Sequence, residues 1–227
     1  MTVYYDQEVT AMDLSETLNR LRSLEPLEQT GKECFARNGE IPDYFQVCSV
    51  QGTGVASDSQ ERLEGLRRRY TGSELTEELF MPPDKNVELE HLLRYVDITA
   101  HRHAFFELVC VLEGRCLHTI EQQTEALTAG DIAIVPPGLL HHLTAEPDCV
   151  CLTIKVRAST FERAFSALLQ EESLLSVFFV SNLYAPPSRS ALTFHCGQDH
   201  LLPSSFYTCT ASSRKSWPTV TTSSRAF

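Results

Sequence analysis

Between residues 86 and 157 the chain consists of short apolar runs separated by turn-forming residues, and few folds accept that pattern. The runs are Phe105 to Leu112, Cys116 to Ile120, Ile132 to Val135 and Cys149 to Val156. Gly114, Gly130-Asp131, Pro136-Pro137-Gly138 and Glu146-Pro147-Asp148 stop them. Runs this short and this close predict antiparallel strands in a sandwich or barrel, not strands alternating with helices.

The flanks read differently. Residues 1–85 are acidic and helix-prone, with Leu14, Leu18 and Leu21 on one helical face and Asp13 and Glu16 at capping-box spacing. Arg67, Arg68 and Arg69 fit a solvated helix face better than a nucleic-acid contact. Met81-Pro82-Pro83-Asp84 punctuates the chain as a linker or turn. After the strands, Ser159 and Glu162 have capping-box spacing, and Phe161, Phe165, Leu168 and Leu169 follow at helical spacing. Leu174 to Tyr184 is apolar on nearly every side, which suits burial against the barrel or a second subunit. The expected division is an acidic extension (1–85), a barrel (86–157), a helical packing and dimerisation segment with a final strand (158–200), and a tail (201–227).

Composition excludes several function classes. The 227 residues carry a formal charge of −11, and the sequence pI is near 5.2. Phosphate binding rests on clustered Lys and Arg, so a globally basic nucleic-acid binder is not expected. No apolar stretch is long enough for a membrane-spanning helix, and the first 25 residues lack the apolar run of a secretory signal. A cytoplasmic protein with no membrane contact is expected. The eight cysteines form no Cys-x-x-Cys pair, and small buried thiols are the simplest account of them.

The chemistry-bearing residues lie inside the strand-rich region. His101, His103 and Glu107 share strand parity, so a single strand would project all three from one face. The local pattern is His-x-His-x3-Glu-x6-Gly, ending at Gly114, followed by Gly-x5-Pro-x-Gly-x2-His from Gly130 to His141. It resembles the two signature motifs of the cupin superfamily, with two departures. Tyr95 stands where the leading glycine is expected, and Ala145 where the asparagine is expected. Three imidazoles and a carboxylate suit one divalent transition metal, and the set does not choose among iron, manganese, nickel, copper and zinc. The same four side chains could instead line a metal-free polar pocket.

HAFFELVCVLEG, LTAGDIAIVPPGLLHH and RASTFERAFSALLQEESLLSVFF together resemble the amino-terminal sensing domain of AraC-type bacterial transcription regulators. The resemblance covers about residues 86–200. It implies a mainly-β cupin fold (a double-stranded β-helix or jelly-roll barrel) with flanking α-helices, which binds a small effector and forms a homodimer. A sugar or an organic acid is the expected class of effector. His101, His103, Glu107 and His141 are carried over as pocket wall and tentative metal ligands, with Tyr95 a weaker ligand-binding candidate and Phe105 weaker still. In the family a carboxy-terminal pair of helix-turn-helix motifs reads DNA; this chain by itself is expected not to bind it. The alternative is a small metal-dependent cupin enzyme, an isomerase or a dioxygenase.

Beyond Pro203 the texture breaks. Residues 204–224 hold 12 Ser or Thr in 21 positions, and no acidic residue occurs from 201 onward. The tail reads as disordered. A frameshift or truncation near Pro203 that removed the helix-turn-helix half accounts for it better than a natural flexible tail. One shifted back-translation of 204–227 yields an amphipathic helix.

Overall fold

The structure is a computed structural model describing residues 14–48, 74–165, 174–184 and 190–196. The triplet Arg67–Arg69, the Asp13 cap, Leu168, Leu169 and the tail 201–227 lie outside the described residues.

Ten strands are described: β1 (Glu74–Leu75), β2 (Val87–His91), β3 (Arg102–His103), β4 (Phe106–Glu113), β5 (Arg115–Ile120), β6 (Gln123–Thr128), β7 (Ile132–Val135), β8 (His141–Ala145), β9 (Val150–Val156) and β10 (Leu192–Phe194). One sheet has the antiparallel order β10-β7-β4-β9-β2. A second has the order β6-β5-β8, again antiparallel. The short strands β1 and β3 pair in parallel.

Side-chain alternation makes the barrel. Val109 and Val111 of β4, Ala133 and Val135 of β7 and Cys151 of β9 point inward and meet Cys116, Leu127, Leu143 and Ala145 of the second sheet in one core. The intervening residues of β4 are apolar too, because helices cover the outer face of the large sheet. α1 (Leu14–Arg22) sets Leu18 and Leu21 on Leu89, Leu112, Val150 and Leu152. Farther along the same face, Phe106, Ile134 and Leu192 pack with Phe161 of α5 (Ala158–Phe165) and with Phe178 and Phe179 of α6 (Leu174–Tyr184). A strand buried on both faces reads as a continuous apolar run, as Leu108 to Leu112 does.

α2 (Pro26–Asn38) is fastened to the barrel by a buried ion pair. Glu28 accepts from the Arg94 backbone N–H at 2.9 Å and from Arg94 Nε at 2.8 Å. The Arg94 guanidinium also donates to the carbonyls of Leu21, Arg22 and Ser23, which closes the α1–α2 turn. Gly31 permits the approach, since a Cβ there would lie 2.3 Å from Tyr95 O.

Two local expectations need correction. α5 begins at Ala158, so Ser159 lies within its first turn and not before it. The Ala158 N–H donates to Glu77 of α4 (Glu77–Phe80), a partner far away in sequence. The second concerns residues 101–107, which do not form a single strand. His101 makes an isolated bridge, β3 is two residues long, and the chain bends at Ala104 and Phe105 before β4. The bend is required: on a straight strand the Cα atoms of His103 and Glu107 would stand about 13 Å apart, too far to converge. Leu75, Met81 and Phe105 pack together where the chain bends, so the Met81–Asp84 turn lies against the barrel.

Candidate functional site at the barrel mouth

The barrel interior is layered. Glu107 on β4 is the direct neighbour of Lys155 on β9, Val109 of Thr153, and Val111 of Cys151. Across the barrel, His141 on β8 pairs with Ile120 of β5, Leu143 with His118, and Ala145 with Cys116. The polar side chains therefore gather at one end and thiols fill the other.

Backbone pairing brings the two sequence motifs together. His101 and His141 exchange both backbone hydrogen bonds at 3.0 Å. The Gly138 N–H donates to His103 O at 2.7 Å, and Arg102 Nη1 donates to Gly138 O. The Pro-Pro-Gly turn thus docks beside β3 and delivers His141. Asp131, in the Gly130-Asp131 turn, accepts from the Thr128 N–H at 2.8 Å and holds the approach to β7.

His103, Glu107 and His141 are buried, and one donor atom from each lies within 4.8 Å of the others. His141 Nε2 stands 3.7 Å from Glu107 Oε2. His101 is half-buried at the rim, its ring centred 4.7 Å from that of His141 and 6.2 Å from that of His103. Two tautomers follow from the backbone. His103 Nδ1 is 2.7 Å from Phe105 O, and His101 Nδ1 is 2.9 Å from Thr99 O. Only an N–H donates to a carbonyl, so each ring carries a proton on Nδ1, and the uncharged His103 ring keeps a lone pair on Nε2. Phe105 also stacks on His103, with centroids 4.4 Å apart.

Burial keeps the His103 and His141 imidazoles uncharged. It takes His103 down to about 4 against the upward pull of Glu107. It takes His141 well below its ordinary value, helped by the other histidines nearby. Glu107 Oε2, His103 Nε2 and both His141 nitrogens have no hydrogen-bond partner. Neutral nitrogens and a carboxylate oxygen, buried and unpartnered within a few ångströms, are the donor set of a transition-metal site. The residues fit a metal, which His103, Glu107 and His141 would hold with His101 at the rim.

Tyr95 is not brought to this cluster. Its ring lies 6.1 Å from that of Phe35 and has Lys32 Nζ 5.8 Å away, both on α2. Its backbone is informative instead. Tyr95 sits at φ 59°, the left-handed conformation that favours glycine, and it occupies the position where the motif calls for glycine.

Three residues escaped the sequence reading. Lys155 is buried, ion-paired with Glu90, 3.9 Å from Glu107 Oε1, and 4.7 Å from the centre of the Phe80 ring. Its partner Glu90 lies on the neighbouring strand β2. His118 on β5 is fully buried, its ring centred 5.6 Å from that of His141, with neither nitrogen bonded. Parity was the usable signal: His118 alternates with Cys116 and Ile120, and Lys155 with Cys151 and Thr153. A cavity beside the cluster is bounded by Phe80, Glu90, His101, Phe105, Glu107 and Lys155, among others.

A two-sheet antiparallel barrel with this histidine–carboxylate cluster at its mouth has the cupin fold. Residues 94–187 match the family model of the AraC-like ligand binding domain. Among solved structures, the chain is similar to a cupin-2 domain containing protein from Shewanella frigidimarina (26% identity, 31% of this chain and 69% of that one, TM-score 0.28). It is also similar to a Cupin 2 conserved barrel domain protein from Salinispora arenicola (21% identity, 38% and 79%, TM-score 0.30). A third is ToxT from Vibrio cholerae (9% identity, 54% of this chain and 47% of that one, TM-score 0.37). No curated protein matches the sequence. No described helix is long and apolar enough to cross a membrane.

Proposed function

We propose that the chain is the effector-sensing and dimerisation part of a cytoplasmic transcription regulator of the AraC type. The observation that carries this reading is the cluster of buried, unpartnered donors at the barrel mouth, inside a segment that matches a ligand-binding domain. A small molecule bearing several hydroxyls, or a carboxylate carried with a metal, would satisfy those groups. Sugars and small organic acids are the proposed classes. His101, His103, Glu107 and His141 form the binding wall, and the barrel of residues 86–157 is followed by a dimerisation segment over 158–200. DNA recognition belongs to helix-turn-helix motifs of such regulators, because a chain at −11 repels phosphate.

The test is a thermal-shift screen of the purified chain against neutral monosaccharides and small organic acids. A ligand at 100 times its Kd adds about 2.7 kcal/mol of stability. The shift should disappear in the His103→Ala and Glu107→Gln variants. If no compound shifts the wild type, or if both variants keep the shift, the proposal fails.

The convergence of His103, Glu107 and His141 favours one further reading, a metal-dependent isomerase or dioxygenase. A metal bound there would supply a Lewis acid with open positions. The protein's own part would be to hold the proton of His103 on Nδ1 and to shelter the site behind Phe80 and Phe105.

A further inference from the structure

We infer that His118 is a nitrogen donor of the mouth centre, so that a divalent transition-metal ion held by His103, Glu107 and His141 also takes His118. The inference rests on the reading of those three residues as a metal-capable set, and it adds a residue from outside the two sequence motifs.

His118 lies on the inward face of β5, opposite Leu143, which follows His141 by two residues on β8. It is 0% exposed, and neither ring nitrogen meets a partner. A buried imidazole has lost its water hydrogen bonds, and here the protein returns none. Such groups in folded chains nearly always have a partner, so an absent ligand is the direct explanation. The remaining histidines of the second sheet and its surroundings do not share this state: His142 is paired with Asp97, and His195 with Glu125 and Asp131.

Geometry supports the same assignment. Two imidazoles bound to one ion at about 2.1 Å have ring centres roughly 4.5 Å apart at a right angle and about 6.4 Å apart when opposed. His101, His103 and His118 stand 4.7, 5.0 and 5.6 Å from His141 by this measure, all within that span. The three donors that already converge do not include a His118 nitrogen. Histidine χ2 is a soft torsion, so the His118 ring can turn about it toward the centre. Access separates His118 from His101, which is tied to Thr99 O at the rim. His118 would close the inner side of the centre, away from the cavity by which a ligand enters.

The experiment titrates Co2+ into the chelator-stripped, full-length chain, followed by calorimetry and by visible absorption. The wild type should bind one ion per chain, and His103→Ala should abolish it. His118→Phe should weaken binding about tenfold or more and alter the cobalt absorption bands, the scale on which groups supporting a metal are felt. Wild-type affinity with an unchanged spectrum in His118→Phe would overturn the inference and leave the three-residue centre standing. A wild type that binds no Co2+ would overturn both, while the screen for organic effectors is scored separately. Should the Phe variant lose its folded circular dichroism, His118→Gln is read against the same two outcomes.

Discussion

Substituting Glu28 with alanine should loosen the attachment of the amino-terminal helices, and the size of the effect can be reasoned from the contacts. Glu28 is 0% exposed and Arg94 3%. The carboxylate accepts the Arg94 backbone N–H, Arg94 Nε, Arg94 Nη2 and the Glu25 N–H. Removing one partner of a buried pair costs about 3–5 kcal/mol, because the other charge stays buried. Here the guanidinium keeps three carbonyl partners on α1 and the following turn, so the low end applies, about 3 kcal/mol. For a chain of this size that is a Tm fall of roughly 6–12 °C. The effect should also depend on pH. Burial pushes the Glu28 carboxyl up, but the bonds from Arg94 and Glu25 more than reverse this and leave it below its ordinary 4.5. A carboxyl lowered by folding stabilises the fold above pH 4.5, and that contribution fades as pH falls through the lower folded-state value. Burial also lowers His91 against the upward pull of Glu28, 4.0 Å away, so wild type and variant alike lose stability from this ring as pH falls below 6.5. Urea unfolding at pH 7 and pH 3.5 measures both effects. The double variant Glu28→Met, Arg94→Leu should recover part of the loss. A single-variant loss below about 1 kcal/mol at pH 7, or a gap that widens in acid, would refute the reasoning.

Two further predictions follow from the fold. Gly114→Ala should destabilise the barrel by about 1–3 kcal/mol in chemical denaturation, since Gly114 sits at φ 68° and a Cβ would lie 2.7 Å from Asp148 O. On α6, Val177 and Val180 stay exposed while Phe178 and Phe179 are buried, so sedimentation velocity should detect a dimer that Val177→Glu weakens.

The strand core was legible because buried strands carry their own punctuation. Ile132–Val135 is found at the bounds the sequence gives, and the other three runs are offset by one residue. β6 and β8 were harder, since Gln123–Thr128 is mostly exposed and His141–Ala145 contains two histidines, so neither has an apolar run to announce it. The site was half legible. Motif spacing named the four residues that gather at the mouth, yet equal parity on one strand was the wrong reason. The bend at Ala104-Phe105 and the bridge between His101 and His141 bring them together, and both depend on pairing between distant segments. Tyr95 shows the converse. Its position in the motif concerned backbone conformation, and the side chain serves α2.

β2 joins the helical clamp to the mouth through the elementary alternation of a strand. Leu89 faces outward into the α1 contact, and His91 stands 4.0 Å from Glu28. Between them Glu90 faces inward and holds Lys155, which in turn lies 3.9 Å from Glu107. Each face of this five-residue strand therefore serves a different part of the molecule. One face carries a buried charge network under α2; the other carries a half-exposed carboxylate paired with buried Lys155 against the candidate ligand site. A group that enters beside Glu107 competes with Lys155, and Lys155 has Glu90 as its other carboxylate. Occupancy there would bear on the strand that the amino-terminal helices grip, so the candidate site and its helical cover share a physical element.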